Sequence, residues 1–173
     1  MTEPLPVAAE FPFDPPGGAE AKARIAAALP PWVAELGAAE GSLLVCDDRA
    51  GDLIFAVSVG PSARELVGLR RPIDDGLVGL AASFGQPQIS NTAPADPDFD
   101  PGVDEQVGST TRSLLAAPVA TPQGVVAVLT AINRQPGFTA DDLASAQRLA
   151  QQIAHWWDGP PPHSHSPENP DPA

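Results

Sequence analysis

A chain of 173 residues is long enough for one ordinary domain, which at this size buries roughly two-thirds of the surface its unfolded form exposes and needs no disulfide or metal staple. Its 22 acids against nine bases give a net charge of −13, a surface that repels phosphate backbones and argues against nucleic-acid binding. The single cysteine, Cys46, rules out an internal disulfide and suits a reducing compartment, the cytoplasm.

The chain opens with "MTEPLPVAAEFPFDPPGG", which has an acid at Glu3, no base and no apolar run of signal-peptide type. This stretch and the C-terminal "GPPPHSHSPENPDPA" hold eleven of the 22 prolines. Their composition predicts structureless tails over 1–18 and 159–173, with one folded unit over 19–158 between them. The folded part begins with "AEAKARIAAAL", a helix by propensity that Pro30 and Pro31 are expected to end, Pro31 then opening a second short helix, "PWVAELGAAE". Two strands follow, "GSLLVCD" and "DLIFAVSVG", joined by the turn "DRAG". Neighbouring residues in both are apolar, as in a sheet covered on both faces.

After the connection "ARELVGLRRPID" comes "GLVGLAASFGQPQISN", residues 76–91. Its first half has the small and apolar residues of a short buried helix that Gly85 stops, and its second half turns polar where a strand starts. Gly79, Ala81 and Ala82 fit either close helix-on-sheet packing or the wall of a pocket. An acidic loop containing "DPDFDPGVDE" leads to a hairpin, "RSLLAAPVA" to "GVVAVLTAIN", turning at "TPQG". Residues 113–132 are uncharged and long enough for a membrane span, but Pro118 and that turn divide them, so no membrane segment is expected. The last element is a helix from about Ala140 to Trp157, with Leu143, Ala146, Ala150, Ile153 and Trp157 on one face. Strands on either side of a mixed middle region, framed by terminal helices, predict an α+β domain.

Catalytic chemistry finds little support. All three histidines, His155, His163 and His165, lie at the C-terminal end, leaving none in the core to activate a Ser or Cys nucleophile. Cys46, inside "SLLVC", reads as a buried small hydrophobe. Asp96, Asp98 and Asp100 alternate as in a calcium loop, but Pro101 and Val107 stand where an EF-hand needs Gly and Glu. The acids read better as Asx turns and as caps of a short helix "GVDEQV". No metal or cofactor is expected. Thr139 fits an N-cap with Asp142 at the third helical position, and Phe138 and Leu143 fit a hydrophobic staple.

Four pieces in this order, "GLVGLAASFGQPQISN", "ADPDFDP", "TRSLLAAPV" and the run from "GVVAVLTAINR" through "FTADDL", resemble the GAF domain family of small-molecule sensors over about Ala27 to Trp157. The resemblance implies a central antiparallel sheet, terminal helices packed on one face, and on the other a cavity roofed by the segment from the small-residue helix through the acidic loop. The ligand-binding positions it implies are Leu77, Ala81, Ser90, Asn91, Phe99, Thr111 and Arg112. Asn133, Arg134, Phe138 and Asp142 follow a pattern of cyclic-nucleotide GAF domains, with Arg for Lys and Leu143 for the final Glu; there the basic residue and the Asp form a structural ion pair. The haem and bilin sites of relatives need a core His or a suitably placed Cys. The branch that reduces free methionine sulfoxide uses cysteines beside the cavity, whereas Cys46 has no resolving partner.

Two functional classes follow. One is a sensory module that binds a small molecule, such as a nucleotide or another anionic metabolite, and signals to a separate protein through its terminal helices. The other is a ligand-free dimerisation or docking domain. Trp156 and Trp157 at the end of the last helix favour a homodimer through the first and last helices. Arg112 is expected either to pair with a ligand anion, or to pin the roof shut by pairing with Asp98, Asp100 or Asp104.

Overall fold

The computed structural model describes residues 8–159; the expected C-terminal tail beyond Gly159 lies outside the described residues. Among these, seven strands form one antiparallel sheet and five helices surround it. In chain order the elements are β1 (Ala8–Glu10), α1 (Gly18–Leu36), β2 (Ala38–Asp47), β3 (Asp52–Val59), α2 (Ala63–Leu66), β4 (Arg70–Pro72), α3 (Gly76–Phe84), β5 (Gln88–Ser90), α4 (Gly102–Val107), β6 (Leu114–Thr121), β7 (Gly124–Arg134) and α5 (Ala140–Trp157). The strands lie in the order β1-β3-β2-β7-β6-β5, with β4 paired to β3. This is the α+β architecture that the element pattern predicts, with the central antiparallel sheet that the resemblance implies; the sheet is open.

Strand alternation divides the core into two layers. Leu115, Ala117 and Val119 of β6 and Ala127, Leu129 and Ala131 of β7 face α1 and α5. Leu114, Ala116 and Val128 face the other way, toward α2 and α3. A bulge between Leu43 and Leu44 shifts the pairing of β2 with β3. On the helical side Gly41 lets α1 approach closely: a Cβ there would stand 2.5 Å from Val33 Cγ2.

Two expectations are corrected. The helix does not break at Pro30 and Pro31: α1 runs through both to Leu36, capped by Gly37, and Ala38–Glu40 already belong to β2. An interior proline costs about 3 kcal/mol, but Ile25, Leu29, Trp32, Val33 and Leu36 form one unbroken buried stripe across the prolines. Each such side chain contributes about 1.5–3 kcal/mol when buried, so packing overrides the local signal. Nor is the N-terminal stretch structureless from residue 8 onward. Ala8–Glu10 pair with the open edge of β3, Phe13 is buried, and its ring stacks on Trp157 at 6.1 Å. Averaging composition over the prolines hides one well-placed aromatic.

At the start of α5 the expected cap is present. Thr139 Oγ1 accepts from the Asp142 N–H at 3.2 Å, and the Asp142 carboxylate accepts from the Thr139 N–H at 2.8 Å. Asp142 also pairs with Arg134 at 3.4 Å, while the Arg134 guanidinium donates to the carbonyls of Leu36 and Gly137. That basic residue and Asp142 therefore tie β7, α1 and α5 together as an ion pair with a structural job. No helix among the described residues is long and apolar enough to cross a membrane.

Candidate functional site

On the sheet face away from α1 and α5 lies a cavity of about 60 Å³. Its floor is Gly41, Ser42 and Leu44 of β2, Phe55 of β3, Leu114 of β6, and Thr130 and Ile132 of β7. Phe99, Asp100, Val103, Asp104, Ser109 and Thr111 cover it, and Glu40, Leu66, Arg71 and Val78 close the sides. The cover is the acidic loop with α4, where two Asx turns form: Asp96 accepts from the Asp98 N–H at 2.9 Å and Asp100 from the Gly102 N–H at 3.0 Å. Among the described residues no cluster of three metal-ligating side chains occurs.

Asp104 ties α4 to the stretch of chain that leads into β6. Its carboxylate accepts from the Thr111 N–H at 2.7 Å, from Thr111 Oγ1 at 2.8 Å and from Ser109 Oγ at 3.2 Å. Glu40 is buried and accepts from the Ser62 N–H at 3.1 Å. Ser42 Oγ shares a 2.9 Å hydrogen bond with Ser58, and Thr130 Oγ1 donates to the Ser42 carbonyl.

Arg71 is the one base in the cavity wall. Its Nη2 donates to the Asp75 carbonyl and lies 3.9 Å from Asp100 Oδ2. Its Nε is buried without a hydrogen-bond partner. Burial pulls the guanidinium below its ordinary pKa, and Asp100 and Asp75 act in the opposite sense. Gly76 leaves room for this arrangement: its φ is 71°, and a Cβ there would meet Arg71 Nη2 at 2.8 Å and the Asp100 Cβ at 3.0 Å.

The implied ligand positions divide into three groups. Phe99 and Thr111 line the cavity, although the Thr111 hydroxyl already donates to Asp104. Leu77 and Ala81 are buried in the apolar layer beside it, but the α3 residue in its wall is Val78. Ser90, Asn91 and Arg112 are outside it. Ser90 is buried on β5. Asn91 clamps the entry to α5, donating to the Phe138 carbonyl at 3.0 Å and accepting from its N–H at 2.8 Å.

Arg112 is exposed in a separate surface groove with Asn91, Asn133 and Arg134, and its guanidinium makes no ion pair among the described residues. It makes no ion pair with Asp98, Asp100 or Asp104, so it does not pin the roof, and it is absent from the cavity lining. The guanidinium beside the roof belongs instead to Arg71, within the connection "ARELVGLRRPID". Arg71 pairs in register with fully buried Leu53, so alternation sends Arg71 inward, while Arg70 turns out to Asp47 at 2.9 Å and Asp52 at 3.4 Å.

Cys46 is not in the cavity wall. Burial and then the nearby Asp48 push its thiol from 9.0 up to about 11, the opposite of an activated nucleophile.

The structure resembles several solved ones. The GAF domain of a phosphoenolpyruvate-protein phosphotransferase (ptsP) from Coxiella burnetii is 20% identical, with a TM-score of 0.62, over 78% of this chain and 86% of that one. The second GAF domain of DevS from Mycobacterium smegmatis is 22% identical, with a TM-score of 0.62, over 80% and 91%. A free methionine-R-sulfoxide reductase from Neisseria meningitidis, solved with its substrate, is 21% identical, with a TM-score of 0.61, over 80% and 84%. At these identities the likeness establishes the fold. The sequence profile of the GAF domain, a class of generally sensory and regulatory modules, matches residues 25–157, from the middle of α1 to the end of α5, and the chain belongs to the GAF domain family.

Proposed function

We propose that this chain is a non-catalytic sensory module that holds a small molecule in the cavity between sheet and roof and passes its presence to a separate protein. The observation that carries this reading is the cavity itself. It is covered by a loop and a short helix, and its wall mixes apolar groups with a buried guanidinium and buried hydroxyls. Such a lining, apolar with a few fixed polar groups, is the usual character of a ligand site. Within the roof, Asp104 of α4 is bonded to Thr111 in the stretch that leads into β6, so a ligand beneath it lies against the contacts that shape the roof.

The volume restricts the ligand. At about 60 Å³ the cavity is well below the roughly 300 Å³ at the lower end of ordinary ligand pockets. A nucleotide does not fit under the roof as it stands. The chain's one thiol is raised out of the reactive range and lies off the cavity, which supports sensing over sulfoxide reduction.

Denaturing the purified full chain and analysing the released small molecules by mass spectrometry tests the reading. A compound recovered at near-stoichiometric yield, which on re-addition raises the melting temperature, is the expected result. If no compound is released and none of a broad metabolite set shifts the melting temperature, the sensory reading is wrong and a ligand-free docking role takes its place.

A further inference from the structure

We propose that the cavity recognises a short-chain monocarboxylate through Arg71, and that the ligand takes the place of Asp100 beside the guanidinium and so releases the roof loop. This rests on the sensory reading above and names its ligand class and its switch.

The Arg71 side chain is only 9% exposed, and its Nε is the one buried side-chain nitrogen or oxygen without a partner among the described residues. A buried donor left without an acceptor is unfavourable. The internal candidate, Asp100, does not reach it. One oxygen of that carboxylate is held by the Gly102 N–H at 3.0 Å, and the other stops 3.9 Å from Nη2, beyond hydrogen-bonding range. A free carboxylate is not restrained in this way. It can lie along the Nε–Nη2 edge and accept two parallel hydrogen bonds, the geometry guanidinium favours. Displaced, the Asp100 side chain, already 37% exposed, turns to water.

Charge and size narrow the class. Glu40, Asp100 and Asp104 share the cavity wall with the single base. A monoanion that replaces Asp100 one for one leaves the balance at Arg71 unchanged, whereas a phosphate dianion adds a charge among carboxylates. Burial lowers the pKa of Arg71, but a guanidinium keeps its proton at any working pH. A cavity of about 60 Å³ exceeds the roughly 10–15 Å³ that one buried water needs but is far smaller than an ordinary ligand pocket, so the ligand is a short one. Phe55, Val78 and Phe99 offer apolar surface to a short tail, which sets a two- to four-carbon acid apart from a bare anion such as nitrate.

The test titrates the full chain with sodium propionate at constant ionic strength, following heat and amide hydrogen exchange, with sodium nitrate as the tailless control. Saturable propionate binding is expected, at least tenfold tighter than nitrate, with faster exchange across residues 96–102. Arg71→Lys keeps the charge but loses the two-toothed edge, and should weaken propionate at least tenfold. Asp100→Asn removes the competitor and should tighten it about tenfold. Should Arg71→Lys fail to fold, Asp100→Asn still decides: unchanged affinity, or slower exchange across 96–102 on binding, overturns the switch. Equal binding of propionate and nitrate overturns the ligand class. If a neutral compound copurifies with the protein and propionate does not displace it, the carboxylate assignment falls while the sensory reading stands. If neither propionate nor any copurified compound binds, both fall.

Discussion

Burial holds the Cys46 thiol in its protonated form, with a pKa near 11 against an ordinary 9.0. Two consequences follow for solution behaviour. At pH 8 iodoacetamide should label Cys46 in the folded chain far more slowly than in the denatured chain, because only thiolate reacts. The raised value also makes stability depend on pH: the contribution is fully present below pH 9, where both states keep the proton. It is lost as pH rises toward 11, because the unfolded thiol ionises first. Equilibrium unfolding of the native chain and of Cys46→Ala at pH 8 and pH 10.5 should show a smaller alkaline loss in the variant; equal losses would mean that this thiol carries none of it. The same dependence on local surroundings limited how much of the site the sequence disclosed. Phe99 and Thr111 were legible as cavity residues because the family pattern fixes the roof and its return to the sheet. Arg71 was not, since its inward direction depends on pairing with Leu53 across a three-residue strand, and no periodicity can be read from three residues.

Among the elements, α5 and the β6–β7 hairpin were the most legible. Both carry long periodic patterns bounded by strong local chemistry: a capping box on one, a proline-glycine turn on the other. Removing the Thr139 hydroxyl should therefore cost about 1 kcal/mol, the usual effect of losing an N-cap oxygen. For a domain of this size that is a fall of roughly 2–4 °C in Tm, which differential scanning calorimetry of Thr139→Ala would show; a fall well under 1 °C would mean that Arg134 and Asn91 hold the helix entry without the cap. By contrast α1 could not be drawn from local rules, since its continuity through Pro30 and Pro31 comes from tertiary burial of Trp32, Val33 and Leu36. The small residues of α3 serve two ends that composition alone leaves open. A Cβ on Gly79 would stand 2.6 Å from the carbonyl carbon of Asp74, a matter of close packing, whereas Gly76 makes space for Arg71 and Asp100 at the cavity wall.

At the scale of the whole molecule, the segment before α1 joins parts of the fold that are far apart in sequence. β1 covers the outer edge of β3, the Phe11 N–H donates to the Ala56 carbonyl at 2.7 Å, and the Gly17 N–H donates to the Trp157 carbonyl at 2.7 Å. Between those points Phe13 lies against Trp157, with Lys22 Nζ 5.4 Å from its ring centroid. This closure bears on assembly. Trp157 is buried within its own chain and Trp156 is half-buried against the same core, so the aromatic surface expected to draw two copies together is largely satisfied within one. A homodimer through the terminal helices would have to use the exposed alanines of α1 and the polar residues of α5, weaker material for a stable interface. The same contacts make residues 8–17 part of the fold where a structureless stretch is expected. Truncating a buried phenylalanine typically costs about 3–5 kcal/mol, and Phe13, at the margin of the core, should lie near 3 kcal/mol, a drop in Tm of roughly 6–12 °C. Removing residues 1–18 should cost at least as much as Phe13→Ala, because the strand pairing goes with the ring. Thermal unfolding of both variants beside the intact chain decides it. An unchanged midpoint on removal of 1–18 would show that sheet and helices stand without this strap, and that Trp157 finds cover elsewhere, a second copy of the chain being the first place to look.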